Sequence, residues 1–102
     1  MPYQTGLSYD DVLLVPRRSP VDSRENVDLT TELADGLSLS IPVVTAAMDT
    51  VTEAEMALAV GEAGGLGVVH RFLPIDEQAE MIRSVTDAGV PATGAVGIAE
   101  RY

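Results

Sequence analysis

The strongest constraint on the fold is a recurrence. Between residues 41 and 98, apolar runs alternate with amphipathic stretches at about 25 residues from one run's centre to the next, the spacing of parallel strands joined by helical crossovers. Residues 41–48 (IPVVTAAM) lack polar–apolar alternation, as a strand covered on both faces does. Residues 66–69 (LGVV) and 92–98 (ATGAVGI) repeat that texture. After the first run, Thr52 and Glu55 read as a capping box that opens a helix. That helix would place Met56, Ala59, Val60 and Ala63 on one face and end at Gly64-Gly65. Pro74 fits the first turn of a second helix, in which Ile75, Ala79, Ile82 and Val85 recur at helical spacing until Gly89 and Pro91 stop it.

Ahead of this pattern the texture differs. Residues 12–15 form a short strand-like run closed by Pro16, and residues 17–26 read as a polar surface loop. Two runs with alternating apolar residues (Val27, Leu29; Leu37, Leu39) flank Ala34-Asp35-Gly36, and Asp-Gly between such runs signals a hairpin. The chain therefore reads as one partial α/β domain, with a hairpin-bearing extension over residues 1–40 and about three strands with two helices over residues 41–102. Periodicity leaves two architectures open: the start of an eightfold barrel, or half of a doubly wound sheet.

Composition narrows the function. Sixteen acidic against six basic residues give a formal charge of −10, which argues against a nucleic-acid partner. All six basic residues are arginine; a lysine-free acidic surface suits solubility in high salt, and a genome preferring arginine codons would give the same composition. With no cysteine there is no thiol nucleophile, thiolate metal site or disulfide in these residues. No run approaches the ~18 apolar residues of a membrane span and no signal sequence opens the chain, so the expected location is cytoplasmic, with no membrane partner.

In both architectures ligands gather at the carboxyl ends of the strands, here residues 45–50, 70–72 and 97–100. In the first segment, small Ala46 and Ala47 would let a ligand approach the backbone and Met48 offers a polarisable surface for a flat ring, although the same residues suit simple core packing. Asp49 could be a base, a ribose ligand or, more in keeping with its place before a helix, a cap. His70, the only histidine, stands where proton transfer could use it, but a lone histidine is more often a hydrogen-bonded structural residue. Arg71 could hold a phosphate or carboxylate, or be a solvated surface charge. Gly64-Gly65-Leu66-Gly67 follows a helix and enters a strand, the reverse of a dinucleotide-binding loop, and reads as helix termination with close backbone packing.

Taken together and in order, residues 7–16 (LSYDDVLLVP), 41–53 (IPVVTAAMDTVTE) and 64–70 (GGLGVVH) resemble the inosine monophosphate dehydrogenase and guanosine monophosphate reductase family. The resemblance implies the N-terminal portion of a (β/α)8 TIM barrel, tetrameric when complete, that binds a purine nucleoside monophosphate and a nicotinamide cofactor. The dehydrogenase uses NAD, a cysteine-bound intermediate and a monovalent cation such as potassium; the reductase uses NADPH. The positions of Ala46 and Met48 match substrate contacts, and those of His70 and Arg71 lie toward the cofactor. Arg71 stands where relatives often carry Lys or His, and Phe72 where Asn is frequent.

Residues 48–53 are similar to the dehydrogenase, whereas residues 18–24 are similar to a reductase segment. Residues 84–91 pass straight into ATGAVGI without the pair of regulatory modules that most dehydrogenases of this family insert there, an arrangement shared with reductases and a minority of dehydrogenases. The cysteine, the cation loop and the mobile flap are expected later in the barrel, so no catalytic residue and no metal ligand is assigned to this chain. It is expected to be part of a longer enzyme or a truncated reading frame, or, in a different class, a standalone module that binds nucleotide or a barrel partner.

Overall fold

The computed structural model describes residues 2–98; Ala99 and Glu100, which complete the third strand-end segment, lie outside them. Residues 2–30 are exposed throughout and carry two 3₁₀ turns, Tyr9–Asp11 and Arg24–Asn26. The strand expected over residues 12–15 does not form. Its apolar side chains meet no facing strand, and the only order nearby is local, with the Ser8 amide and hydroxyl both donating to the Asp11 carboxylate (2.9 and 3.2 Å).

The hairpin forms where Asp-Gly places it. Strand β1 (Thr31–Ala34) pairs antiparallel with β2 (Leu37–Leu39), and Gly36 closes the turn at φ +78°, a conformation that favours glycine. Leu39 is buried, and the amides of Ser40 and Ile41 both donate to the Gly64 carbonyl, joining the hairpin to the end of the first helix.

The second unit is parallel. Helix α1 (Ala54–Glu62) leads to β3 (Gly67–Val69), helix α2 (Ile75–Asp87) follows, and β4 (Ala92–Gly94) pairs parallel with β3 in the register Gly67↔Ala92, Val68↔Thr93, Val69↔Gly94. The segment 41–48 joins through one parallel bridge, Val44↔Leu66, flanked by bonds from the Leu66 amide to the Val43 carbonyl and from the Thr45 amide to the Leu66 carbonyl. It is an extended edge rather than a strand buried on both faces: Val43 and Val44 are about half exposed because nothing pairs with their outer side. Likewise β4 ends at Gly94, short of the expected residue 98, and Ile98 is exposed.

The core lies between the helices and β3, where Ala57, Val69 and Val85 are buried and Leu58, Met81, Ile82 and Ala92 pack on them. This corrects the expected helix faces. On α1 the inward residues are Ala57 and Gly61, while Met56, Ala59 and Ala63 are exposed. The cause is close approach: a Cβ on Gly67 would stand 2.4 Å from the Ala57 Cα, and one on Gly61 would stand 2.8 Å from a Val90 methyl, so the smallest residues occupy the tightest contacts with β3 and with the turn before β4. On α2 the stripe is Gln78, Met81, Ile82 and Val85, with Ile75 81% exposed and Ala79 also outside. Both helices stop at left-handed glycines as expected, Gly64 at φ +102° and Gly89 at φ +92°.

Candidate functional site

Because residues 43–45, β3 and β4 run parallel, their carboxyl ends lie on one side, at residues 46–48, 70–72 and 95–97. The first of these ends is tied down by two hydroxyls. Thr45 Oγ1 accepts from the Val68 amide (2.9 Å), and the fully buried Thr52 donates from Oγ1 to the Ala46 carbonyl (2.7 Å). Thr52 thus does not head a capping box: the N-cap of α1 is Glu53, with no side-chain cap bond, and the Thr52 hydroxyl is spent on Ala46. Asp49 does not cap either; it sits in the turn whose Met48 carbonyl accepts the Val51 and Thr52 amides. Ala46 and Met48 are exposed at this strand end, Met48 at 52%.

His70 and Arg71 are adjacent but separated in environment. His70 is 3% exposed; its Nδ1 accepts from the Phe72 amide (3.1 Å), which in a neutral ring leaves the proton on Nε2. Arg71 is exposed, with its guanidinium 5.1 Å from the centre of the Phe72 ring, a stacking contact that holds the cation near the strand end. The two therefore do not converge on one ligand through their side chains.

A cleft of about 390 Å³ opens between the loops after β3 and β4, lined by Arg71, Leu73, Ile75, Gln78, Val96 and Gly97 among others. A second recess of similar volume lies below the Asp49 turn, where Asp49, Glu53 and Glu55 would repel an anionic ligand. Only the first joins a cation to apolar walls and glycine backbone. Sequence reasoning missed Gln78, which reaches the floor of this cleft; its signal is a lone polar residue on the apolar stripe of α2, aligned with Ile82 and Val85. Among the described residues no three His, Cys, Asp or Glu side chains gather to hold a metal ion, and no helix is long and apolar enough to cross a membrane.

The family described as IMP dehydrogenase / GMP reductase domain matches residues 6–95. The chain is 51% identical over 89 residues to an inosine-5'-monophosphate dehydrogenase of Nitrosopumilus maritimus, covering 87% of this chain and 19% of that protein. It is 58% identical over 80 residues to the corresponding dehydrogenase of Streptococcus pyogenes, covering 78% of this chain and 16% of the relative. Its fold superposes on the crystal structure of GMP reductase from Trypanosoma brucei in complex with guanosine 5'-triphosphate with a TM-score of 0.74 and 51% identity, over 79% of this chain and 19% of that one. The chain thus spans less than a fifth of the curated relatives it matches. Parallel strands joined by helices, with ligand-accessible strand ends, accord with that likeness, and the chain belongs to the IMP dehydrogenase / GMP reductase family.

Proposed function

We propose that the complete protein oxidises inosine monophosphate with NAD, and that residues 41–98 supply the opening strands of its (β/α)8 barrel. The observation that carries this reading is Ala46 and Met48, exposed at the carboxyl end of the parallel array in a segment held there by Thr52, in a chain 51–58% identical to dehydrogenases of inosine monophosphate. Exposed Ala46 leaves its backbone open to a nucleotide, and the Met48 thioether offers the purine face an adaptable apolar surface.

The cleft fits a nicotinamide dinucleotide. Arg71 presents a permanent positive charge for its phosphates, Leu73, Ile75 and Val96 offer apolar cover for a flat ring, and Gly97 lets the backbone come close. His70 supports Arg71 from behind, through the turn it makes with Phe72. Bound there, the dinucleotide supplies a hydride acceptor. These residues bind and orient; with no cysteine among 102 residues, the nucleophile the family implies is not one of them, and no step is assigned here to a monovalent cation.

The test is a spectrophotometric assay of the complete protein, with NADH formation expected only when inosine monophosphate and NAD are both present. The second reading, reduction of guanosine monophosphate by NADPH, is favoured by the 51% identity to the Trypanosoma brucei reductase. Consumption of NADPH with guanosine monophosphate, and none of NAD with inosine monophosphate, would establish it. A tetramer is expected by sedimentation in either case.

A further inference from the structure

The carboxyl ends of β3 and β4 part just beyond their last rung, the bond from the Ala95 amide to the Val69 carbonyl (2.9 Å). One chain turns toward Arg71 and the other toward Val96 and Gly97, the opposite sides of the cleft. A single side chain from α2 spans the gap. The Gln78 carboxamide nitrogen donates to the Ala95 carbonyl (2.9 Å) and the His70 carbonyl (3.1 Å), with the Val69 carbonyl at 3.4 Å. A primary amide carries two N–H donors on one planar nitrogen, so it can hold two carbonyls at a fixed separation. Glutamate offers no donor when ionised, methionine offers none at all, and asparagine is one methylene short.

The opposing strand is shaped for this reach. A Cβ on Gly94 would stand 2.8 Å from the Gln78 nitrogen and 2.9 Å from the Ile82 Cδ1, so any larger residue there moves the carboxamide or the Ile82 methyl aside.

We propose that Gln78 is a positioning residue for the cleft: its carboxamide fixes the distance between the Arg71 loop and the 95–97 loop, and so sets affinity for the ligand lying between them. The proposal rests on the reading of this cleft as the dinucleotide site. Residues 46–48 are fastened separately, through Thr45 and Thr52, and depend on neither of the two carbonyls that Gln78 joins.

The test is steady-state kinetics of the full-length protein carrying Gln78→Met, which keeps volume without donors, and Gly94→Ala, which keeps the glutamine but crowds it. Both are expected to raise KM for the dinucleotide tenfold or more, with kcat and KM for the purine nucleotide within threefold of the parent. A dinucleotide KM within threefold in Gln78→Met, or an equal rise in both KM values, overturns the proposal. Hydrogen exchange supplies a reading free of activity: Gln78→Met should exchange the Ala95 amide at least tenfold faster and leave the Thr45 amide unchanged, and equal rates at Ala95 overturn the clamp. If the parent turns over neither substrate pair, the functional reading falls while hydrogen exchange still decides the clamp.

Discussion

The buried Nε2 of His70 points at the Glu53 carboxylate from 3.8 Å, too far for a hydrogen bond, and makes none with any other described residue. The contact links the end of β3 to the residue that opens α1. Glu53 is half exposed, so water screens the pair and shares the carboxylate. Glu53→Gln should therefore change stability by less than about 0.5 kcal/mol in denaturant unfolding. His70→Ala, which removes a buried ring and the acceptor of the Phe72 amide, should cost about 2–4 kcal/mol. Equal costs would show that the contact with Glu53, not the packing, is what matters.

Thr52 separates the hydroxyl from the methyl. Thr52→Val keeps the shape but leaves the Ala46 carbonyl without its 2.7 Å partner, and should cost about 1–2 kcal/mol. Thr52→Ser, which retains the hydroxyl, should keep most of the nucleotide affinity, whereas Thr52→Val should weaken it. Calorimetric titration of the full-length variants with nucleotide tests that order; equal affinity would dissociate this bond from ligand binding.

Gly67 lies under α1, with the Ala57 Cα 2.4 Å from where a Cβ would be. Both groups are fixed backbone or first side-chain carbons, so neither can swing away. Gly67→Ala should destabilise by about 1–3 kcal/mol through forced separation of helix and strand. Gly6→Ala, where a Cβ meets nothing, is the control and should unfold with the parent.

Asp28 titrates below the usual carboxylate value because the Thr30 hydroxyl, then the Thr30 amide (2.9 Å), donates to its ionised form. The sign follows from linkage: the folded value is depressed, so the contribution is complete above the ordinary 3.8 and disappears as pH falls through the lowered folded value. Carboxyl NMR titration should show Asp28 holding its charge into more acidic solution than a free aspartate. Thr30→Ala should move it upward, and an unchanged midpoint would remove the hydroxyl as the cause.

Local rules were legible in the sequence, and long-range packing was not. Asp35-Gly36, Gly64 and Gly89 acted through their own backbone preferences, which need no tertiary context. The inward face of α1 was misread because hydrophobicity ranks Met56 above Gly61, whereas closeness to Val90 and Gly67 selected the small residues. Thr52 was misread because its hydroxyl had two possible partners, a local amide from which it could accept and the more distant Ala46 carbonyl to which it could donate, and only folding decides between them. Gln78 escaped notice because its partners, the carbonyls of His70 and Ala95, follow two different strands and carry no side-chain signature. The likeness to the family reached residues 46, 48, 70 and 71 as ligand candidates, but not the burial that divides His70 from Arg71.

The two parallel pairings close loops of nearly equal length. Val44 meets Leu66 across 22 positions (66 − 44) and Gly67 meets Ala92 across 25 (92 − 67). Closure entropy grows only with the logarithm of loop length, so neither pairing has an entropic lead over the other. What orders them is synthesis. A nascent chain exposes Leu66 to Val44 before Ala92 exists, and each new strand then finds its neighbour already in place. The sheet can therefore assemble in the direction of translation, with modest contact order at each step and no register search among distant segments.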